Sequence, residues 1–460
     1  MKPLVPFIEI HKNNNAPALQ EEGQTLSYAQ LYEAVQQRAA ELRELCNCER
    51  ALVILRLTNS IDGVLNHLAV QSLNWVALLL HPDTSDAQLA SYQSRYRPNI
   101  IVNQTQWLAV TDQQHELHEQ VRLLLSTSGS TGTAKCVALS ACNLEANCSA
   151  ILSYLPITQR DITVLTLPLS YSYGLSVLHT HLAAGARLVF TSASVFNKAF
   201  WSLVKTLPVT SLAGVPSFYE MLLKLRFTRM DLPSLRYFTQ AGGRLDVSQV
   251  SQLSDYAATH DKRFFVMYGQ TEATARMAYV EPDVLARKPH CIGRAIPGGE
   301  FCLKDENGNT VTTTNTTGEL CYRGANVMLG YAETVADLCV FNPFEWLHTG
   351  DLAMVDSDGD YTITGRLKRM LKVFGERVNL DALEQQFATA GLDVRCCGED
   401  NGLVIACKKA ELAAVEAFQK DHVGLPRAGV ALVQTEQWPL LVNGKIDYSA
   451  LTELPREAGT

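Results

Sequence analysis

The sequence predicts an α/β protein whose main part is two doubly wound units. Over roughly the first 270 residues, apolar runs of strand length alternate with amphipathic helical stretches. Turn residues punctuate each run, and one strand ends in a loop made only of Ser, Thr and Gly before a lysine approaches. Beyond about residue 290 the rhythm gives way to short strands and hairpin turns.

In chain order, Thr25–Leu31 opens an amphipathic helix that runs to about Leu45, with Ser27 as its cap. Ala51–Leu57 reads as a buried strand, Ser60–Leu73 as a helix, and Trp75–Leu80 as a strand halted by His81-Pro82. A helix over 86–96 leads to strand Ile100–Val102, and Val121–Leu125 is the next buried strand. Helix Ala141–Tyr154, strand Thr163–Leu167, helix Leu175–Ala184 and strand Arg187–Phe190 follow. Strand Ser211–Gly214 precedes Pro216 and a helix over 217–225. Strand Tyr237–Gln240 runs into Gly242 and Gly243, and after a further helix Arg263–Met267 runs into Tyr268–Glu272. The turns at 305–308 and 356–359 predict a small β-barrel or distorted sheet over about 290–366. Helices near 380–390 and 411–420 between short strands predict a small α+β domain. The expected boundary gives a large domain over 1–366 and a small one over 367–460.

The chain has 460 residues, 47% of them hydrophobic, enough to build real cores and incompatible with a disordered chain. A net charge of −8 without a Lys/Arg track argues against nucleic acid as partner. The twelve cysteines lack the spacing of a disulfide framework. No run of about 18 apolar residues offers a membrane span, and the N-terminus lacks a signal peptide's apolar core. A cytoplasmic setting is expected. Metal-like patterns dissolve on inspection: Asp356–Asp360 has Gly359 too early for a calcium loop, and His115/His118 have i,i+3 spacing. His179 and His181 fall two apart on a helix, and Cys46/Cys48 and Cys396/Cys397 lack a second ligand pair.

Seven consecutive small or hydroxyl residues, Ser126–Gly132, followed by Lys135, suit a loop that surrounds a polyphosphate. It is not the G-x-x-x-x-G-K-[ST] loop, because Ala134 and Cys136 flank the lysine. The loop joins five more stretches in order: Tyr268–Glu272, Gly318–Gly324 with Gly330-Tyr331, Thr349–Asp351, Gly365-Arg366 with Gly375–Val378, and Asn443–Lys445. The ordered set, from about Thr25 to Lys445, resembles the superfamily of adenylate-forming enzymes: acyl-CoA synthetases, aryl-acid and amino-acid adenylation domains, and luciferases.

That resemblance implies activation of a carboxylic acid by ATP with Mg²⁺, giving an acyl-AMP and pyrophosphate, then acyl transfer to a thiol. Two anions must meet, so donors and positive charge must neutralise both. By resemblance, Thr127, Ser128, Gly129, Ser130, Thr131 and Gly132 wrap the β- and γ-phosphates beside Lys135. Tyr268 stacks on adenine, with Gly242, Gly243, Gly269 and Gln270 in the nucleotide site. Thr271 contacts the α-phosphate, Glu272 ligates Mg²⁺, and Asp351 accepts the ribose hydroxyls with Arg366 alongside. Lys445 bridges the reacting carboxylate and α-phosphate, Lys368 is the hinge, and Gly375 lines the thiol entry. Taken one at a time, Asp351, Glu272 and Lys445 are also ordinary turn or helix-start residues; their order makes the functional reading.

The acid pocket is expected among Tyr171, Tyr173, His179, Val215, Ser217 and Gly242. Departures from the family pattern stand at Ala134, Cys136, Ala141, Ser170, Tyr171, Val266 and Tyr448. No Asp or Glu occurs between Asp161 and Glu220, where amino-acid-activating relatives place a partner for the α-ammonium; an acid lacking that group is expected. The favoured acceptor is CoA. The alternatives are the phosphopantetheine of an acyl carrier protein, a non-catalytic nucleotide-binding role, and an oxidative luciferase-like use of the adenylate.

Overall fold

A computed structural model describes residues 6–103, 106–126, 135–374, 376–422, 429–440 and 446–454. Contacts divide the chain into two units, 1–300 with 323–347, and 301–322 with 348–460. The boundary expected at 366 falls within the second unit.

In the first unit, the uniformly apolar strands Leu52–Arg56 and Val76–Leu80 lie inside a seven-stranded sheet and are buried along nearly their whole length. Its order is Gly330–Ala332, Cys136–Ser140, Val121–Ser126, Val76–Leu80, Leu52–Arg56, Ile100–Asn103, Gln106–Ala109. The four strands from Val121–Ser126 to Ile100–Asn103 pair in parallel, and the strands outside them pair antiparallel. Continuous apolar runs suit that parallel centre, where both faces are covered. Ser27 caps helix Tyr28–Leu45 through the Gln30 N–H, with Gln30 reaching back, so the cap read from sequence forms a full capping box.

The second sheet has nine strands, and from Arg263–Tyr268 through Tyr237–Gln240, Ser211–Gly214, Ile162–Val164 and Arg187–Val189 to Pro17–Glu21 they are parallel. The N-terminal hairpin Pro17–Glu21/Gln24–Ser27 is absent from the sequence reading, although Gly23 (φ 76°) marks its turn. It joins the sheet through Leu19 against Leu188, a pairing that no local pattern announces. An aromatic core of Phe200, Tyr219, Phe227, Phe238, Tyr256 and Phe264 fills one side of this sheet. Phe238 and Phe264 stack at 4.7 Å.

The second unit's expected barrel or distorted sheet is a four-stranded sheet, ordered Gly299–Lys304, Gly318–Gly324, Leu347–Val355, Tyr361–Arg366. A hairpin, Met370–Val373 with Glu376–Asn379, precedes the three-stranded sheet Val394–Glu399, Gly402–Lys408, Val430–Thr435. Helices Leu380–Thr389 and Leu412–His422 occupy the positions expected for them. Tyr448, one of the sequence departures, lies under the Arg369 guanidinium at 4.0 Å. Arg369 is itself paired with Asp381 and Glu384. No helix among the described residues is long and apolar enough to cross a membrane.

Three histidines are sealed inside the first unit. His67 and His179 approach Nε2 to Nε2 at 3.1 Å, Phe7 stacks on His179 at 4.4 Å, and His181 Nδ1 sits 2.8 Å from the Val177 carbonyl. Burial depresses all three, His67 and His181 to about 4. Above the ordinary histidine value both folded and unfolded chains hold them neutral. As pH falls from about 6.5 to about 4, the unfolded chain takes up protons that the folded chain refuses, so stability is lost across that window. The expected loss is on the order of 3 kcal/mol per such histidine. Thermal midpoints from pH 7 to pH 4.5 should therefore fall less steeply in His67→Leu than in the parent; parallel curves would refute this account.

Candidate active site

Strand Cys136–Ser140 pairs on its outer side with Gly330–Ala332, setting Tyr331 opposite Val137. That register brings the Tyr331 ring under Lys135, with Nζ 3.5 Å from the ring centroid, and the Tyr331 hydroxyl donates to Glu272 Oε1 at 2.8 Å. Burial, then the neighbouring Glu272 carboxylate, push the Tyr331 hydroxyl above its ordinary range, so it remains a donor. A cation, a phenol and a carboxylate from three separate stretches thus form one chain.

Buried amides fix these parts. Glu272 lies in the short turn Thr271–Ala273, and its carbonyl accepts from the Met328 N–H at 2.8 Å. Asn326 donates to the carbonyls of Ala273 and Arg276, Asn147 to that of Arg276, and Asn143 to those of Ala325 and Val327. Residues 325–328 are thereby stitched to 271–276 and to helix Ala141–Tyr154. These asparagines escaped the sequence reading because nothing local marks them; each is buried and used as a cross-link.

Tyr268 ends strand Arg263–Tyr268 half-buried, followed by Gly269. A Cβ at Gly269 would sit 1.8 Å from the Ala275 carbonyl oxygen, so the turn closes only over glycine. Gln270 caps the turn, and Thr271 Oγ1 lies 3.3 Å from Ser172 Oγ. Gly242 has φ +86°, and a Cβ there would meet Tyr171 Oη at 2.5 Å and Val215 Cγ1 at 3.2 Å. Gly242, Tyr171 and Val215, expected at the acid pocket, are therefore neighbours. Gly243 is more open, its nearest contact being the Pro216 ring, and Ser217 is half-buried on helix Pro216–Lys224.

Tyr173 stands edge-on to Tyr171, ring centroids 6.4 Å apart, and its hydroxyl donates to the Thr239 carbonyl at 2.9 Å. Burial pushes that hydroxyl up to about 12, against the opposing pull of Arg276, whose guanidinium lies 4.0 Å over the ring. Arg276 went unremarked in the sequence; its only signal was a basic residue in the loop after Glu272. His179 lines a small cleft with Ser172 and Ser176, while its Nε2 faces His67.

Within the second unit, Asp351 and Arg366 are cross-strand partners, and Arg366 Nε meets Asp351 Oδ1 at 2.9 Å. Asp351 is buried and Arg366 exposed. The preceding Gly350 takes a left-handed backbone (φ 73°) inside strand Leu347–Val355, and the Thr349 hydroxyl donates to the Leu320 carbonyl at 2.7 Å. Lys368 is exposed on the turn Leu367–Arg369. The side chains of Asp356, Asp358 and Asp360 cluster, but Asp356 Oδ1 accepts from the backbone N–H groups of the other two, which is turn chemistry. Thr127, Ser128, Gly129, Ser130, Thr131, Gly132, Gly375 and Lys445 lie outside the described residues.

The glycine requirement is testable. Gly269→Ala should cost about 1–3 kcal/mol or more by overpacking. Gly243→Ala, whose Cβ would lie 3.2 Å from Pro216 Cγ, should lose well under half as much. Urea midpoints check both; equal losses would contradict the geometry.

The family described as AMP-binding enzyme matches residues 8–126 and 106–332 of this chain. An oxalate–CoA ligase of Arabidopsis thaliana is 27% identical over 341 residues, covering 70% of this chain and 65% of its own length. A long-chain-fatty-acid–CoA ligase of Escherichia coli O157:H7 is 30% identical over 368 residues, covering 72% of this chain and 64% of its own. The match thus spans about two thirds of these curated relatives. Among solved structures, ATP-bound MatB from Rhodopseudomonas palustris has a TM-score of 0.80 at 21% identity, covering 98% of each chain. The o-succinylbenzoate CoA synthetase of Bacillus subtilis, in complex with its acyl-adenylate, has a TM-score of 0.78 at 19% identity, again over 98% of each. At such identities the likeness is one of fold.

Proposed function

The chain belongs to the AMP-binding enzyme family, and we propose that it is an acyl-CoA synthetase that joins a carboxylic acid to coenzyme A at the expense of ATP. The observation that carries this reading is the Lys135–Tyr331–Glu272 chain, a cation and a carboxylate held by one phenol beside Thr271. A substrate carboxylate oxygen attacks the α-phosphorus of ATP, and the bond to pyrophosphate breaks. A thiol sulfur then attacks the acyl carbon, the thiol proton leaves, and AMP departs with the bonding electrons.

In this reading Thr271 donates to the α-phosphate and Lys135 offsets charge on the leaving pyrophosphate. Tyr268 faces adenine, and Asp351 with Arg366 serves the ribose. Glu272 presents hard oxygen, and the adjacent Thr271 hydroxyl is of the same kind, so the donor set fits Mg²⁺. Bound there, the ion would neutralise phosphate charge. Tyr331 keeps the carboxylate oriented. Lys445 supplies the donor at the reacting carboxylate, and rotation about Lys368 exchanges it for the stretch around Gly375.

Two observations support the choice of acid and acceptor. Asp161, the last acid before the gap that ends at Glu220, is buried and bonded to Arg236 at 2.7 Å and to the Thr158 N–H, so it has nothing to offer a substrate ammonium. The relatives named above are ligases of coenzyme A, which favours CoA over a carrier protein. A cytoplasmic setting accords with twelve free cysteines.

Acid-dependent ATP–pyrophosphate exchange over fatty, aryl, hydroxy and amino acids tests the reading. Exchange should appear with one class of acid and fall about 10²–10³-fold in Lys445→Ala. Absence of exchange in folded, ATP-binding protein would favour a non-catalytic role. Lys368→Pro should keep exchange while thioester formation with CoA falls at least about tenfold; equal loss of both half-reactions would remove the hinge.

A further inference from the structure

Arg276 is a buried cation that has no carboxylate partner among the described residues. The residue is 2% exposed, and its backbone is pinned through its carbonyl by Asn147 and Asn326. Its guanidinium donates from Nη1 to Ser176 Oγ at 2.7 Å and from Nε to Met267 Sδ at 3.4 Å, with the Tyr173 ring below. All these partners are neutral, and two of five N–H donors are used among the described residues.

The other sequestered arginines are treated differently. Arg369 has Asp381 and Glu384, while Arg50 donates to backbone carbonyls and Arg122 donates to two from Nη1, leaving its Nε without a partner among the described residues. A hydroxyl, a thioether and a ring face are weak compensation for a desolvated cation. Truncating such a charge's partner is costly, and supplying one is correspondingly favourable.

Position ties this imbalance to the candidate site. A small cleft is lined by Leu144, Cys148 and Leu175 as well as by Asn147, Ser172 and Ser176, and Arg276 is connected to it through its bond to Ser176. Ser172 touches Thr271, and Ser176, one helical turn further on, touches Arg276. Four residues of helix separate the two contacts by about 6 Å. One end is the hydroxyl assigned to the α-phosphate, where the reacting carboxylate must also come. The other end is the unmatched cation.

We propose that Arg276 anchors a second carboxylate on the substrate, so that the acid activated by this chain is a dicarboxylic acid. The ~6 Å spacing fits an acid of about four to six carbons. This rests on the adenylation reading above and narrows its substrate.

The test compares unbranched four- to six-carbon diacids with their half-amides, equal in length and lacking the second charge. In the parent protein, kcat/KM for acid in pyrophosphate exchange should favour a diacid by at least about 10²-fold, because an unpaired buried polar group penalises the neutral analogue. Arg276→Gln should narrow that ratio to below about tenfold, with Arg276→Lys between the two. Half-amides or monoacids working as well as diacids in the parent protein would overturn the proposal while leaving adenylation intact, whatever the variants do. Calorimetric titration of the AMP-loaded parent protein reads the same preference without catalysis. Failure of the diacid to bind more tightly than its half-amide there would overturn the proposal even if no exchange were found.

Discussion

The antiparallel pairing of Gly330–Ala332 with Cys136–Ser140 is the contact on which the Lys135–Tyr331–Glu272 chain depends. Side chains alternate along a strand, so the register decides which side of it Tyr331 occupies; a slip of one residue would turn the phenol away from Lys135 and Glu272. The asparagines at 143, 147 and 326 bond the neighbouring loops to one another and to a helix through backbone carbonyls. A buried carbonyl left unmade is costly, so the same bonds that hold residues 325–328 also restrain the turn carrying Thr271 and Glu272.

Charge is handled in two ways. Where the fold itself draws an arginine partly out of water, it supplies carboxylates or carbonyls, as at the half-buried Arg369 and Arg50. Asp161 is likewise consumed by Arg236. Arg276 is the departure from that economy, and its position one helical turn from the Thr271–Ser172 contact gives the departure a chemical meaning. The positive-φ glycines follow a similar division. Gly350 permits a left-handed residue within the strand that carries Asp351, whereas Gly242 also yields space to the Tyr171 hydroxyl.

Much of this could be read in advance because its signals are local. The buried strands at 52–56, 76–80 and 237–240 announce themselves as apolar runs, and Ser27 caps its helix where hydroxyl chemistry says it should. The stretches Tyr268–Glu272 and Thr349–Asp351 stood out only as members of an ordered set, through the family resemblance that the set carries. The N-terminal hairpin was not, because a two-stranded ribbon gains its stability from the sheet it joins.

By itself, the sequence determined the alternation of strand and helix, the caps and turns, and the ordered motifs that carry the family resemblance. These depend on neighbours a few positions apart, where backbone preference and side-chain periodicity act. Tertiary structure alone decided that Leu19 lies beside Leu188, that Tyr331 bridges Lys135 and Glu272, and that Arg276 is buried against Tyr173. Those outcomes depend on sheet order and on which charges are withdrawn from water together. Such properties arise only when segments far apart in the chain exclude solvent from the same place.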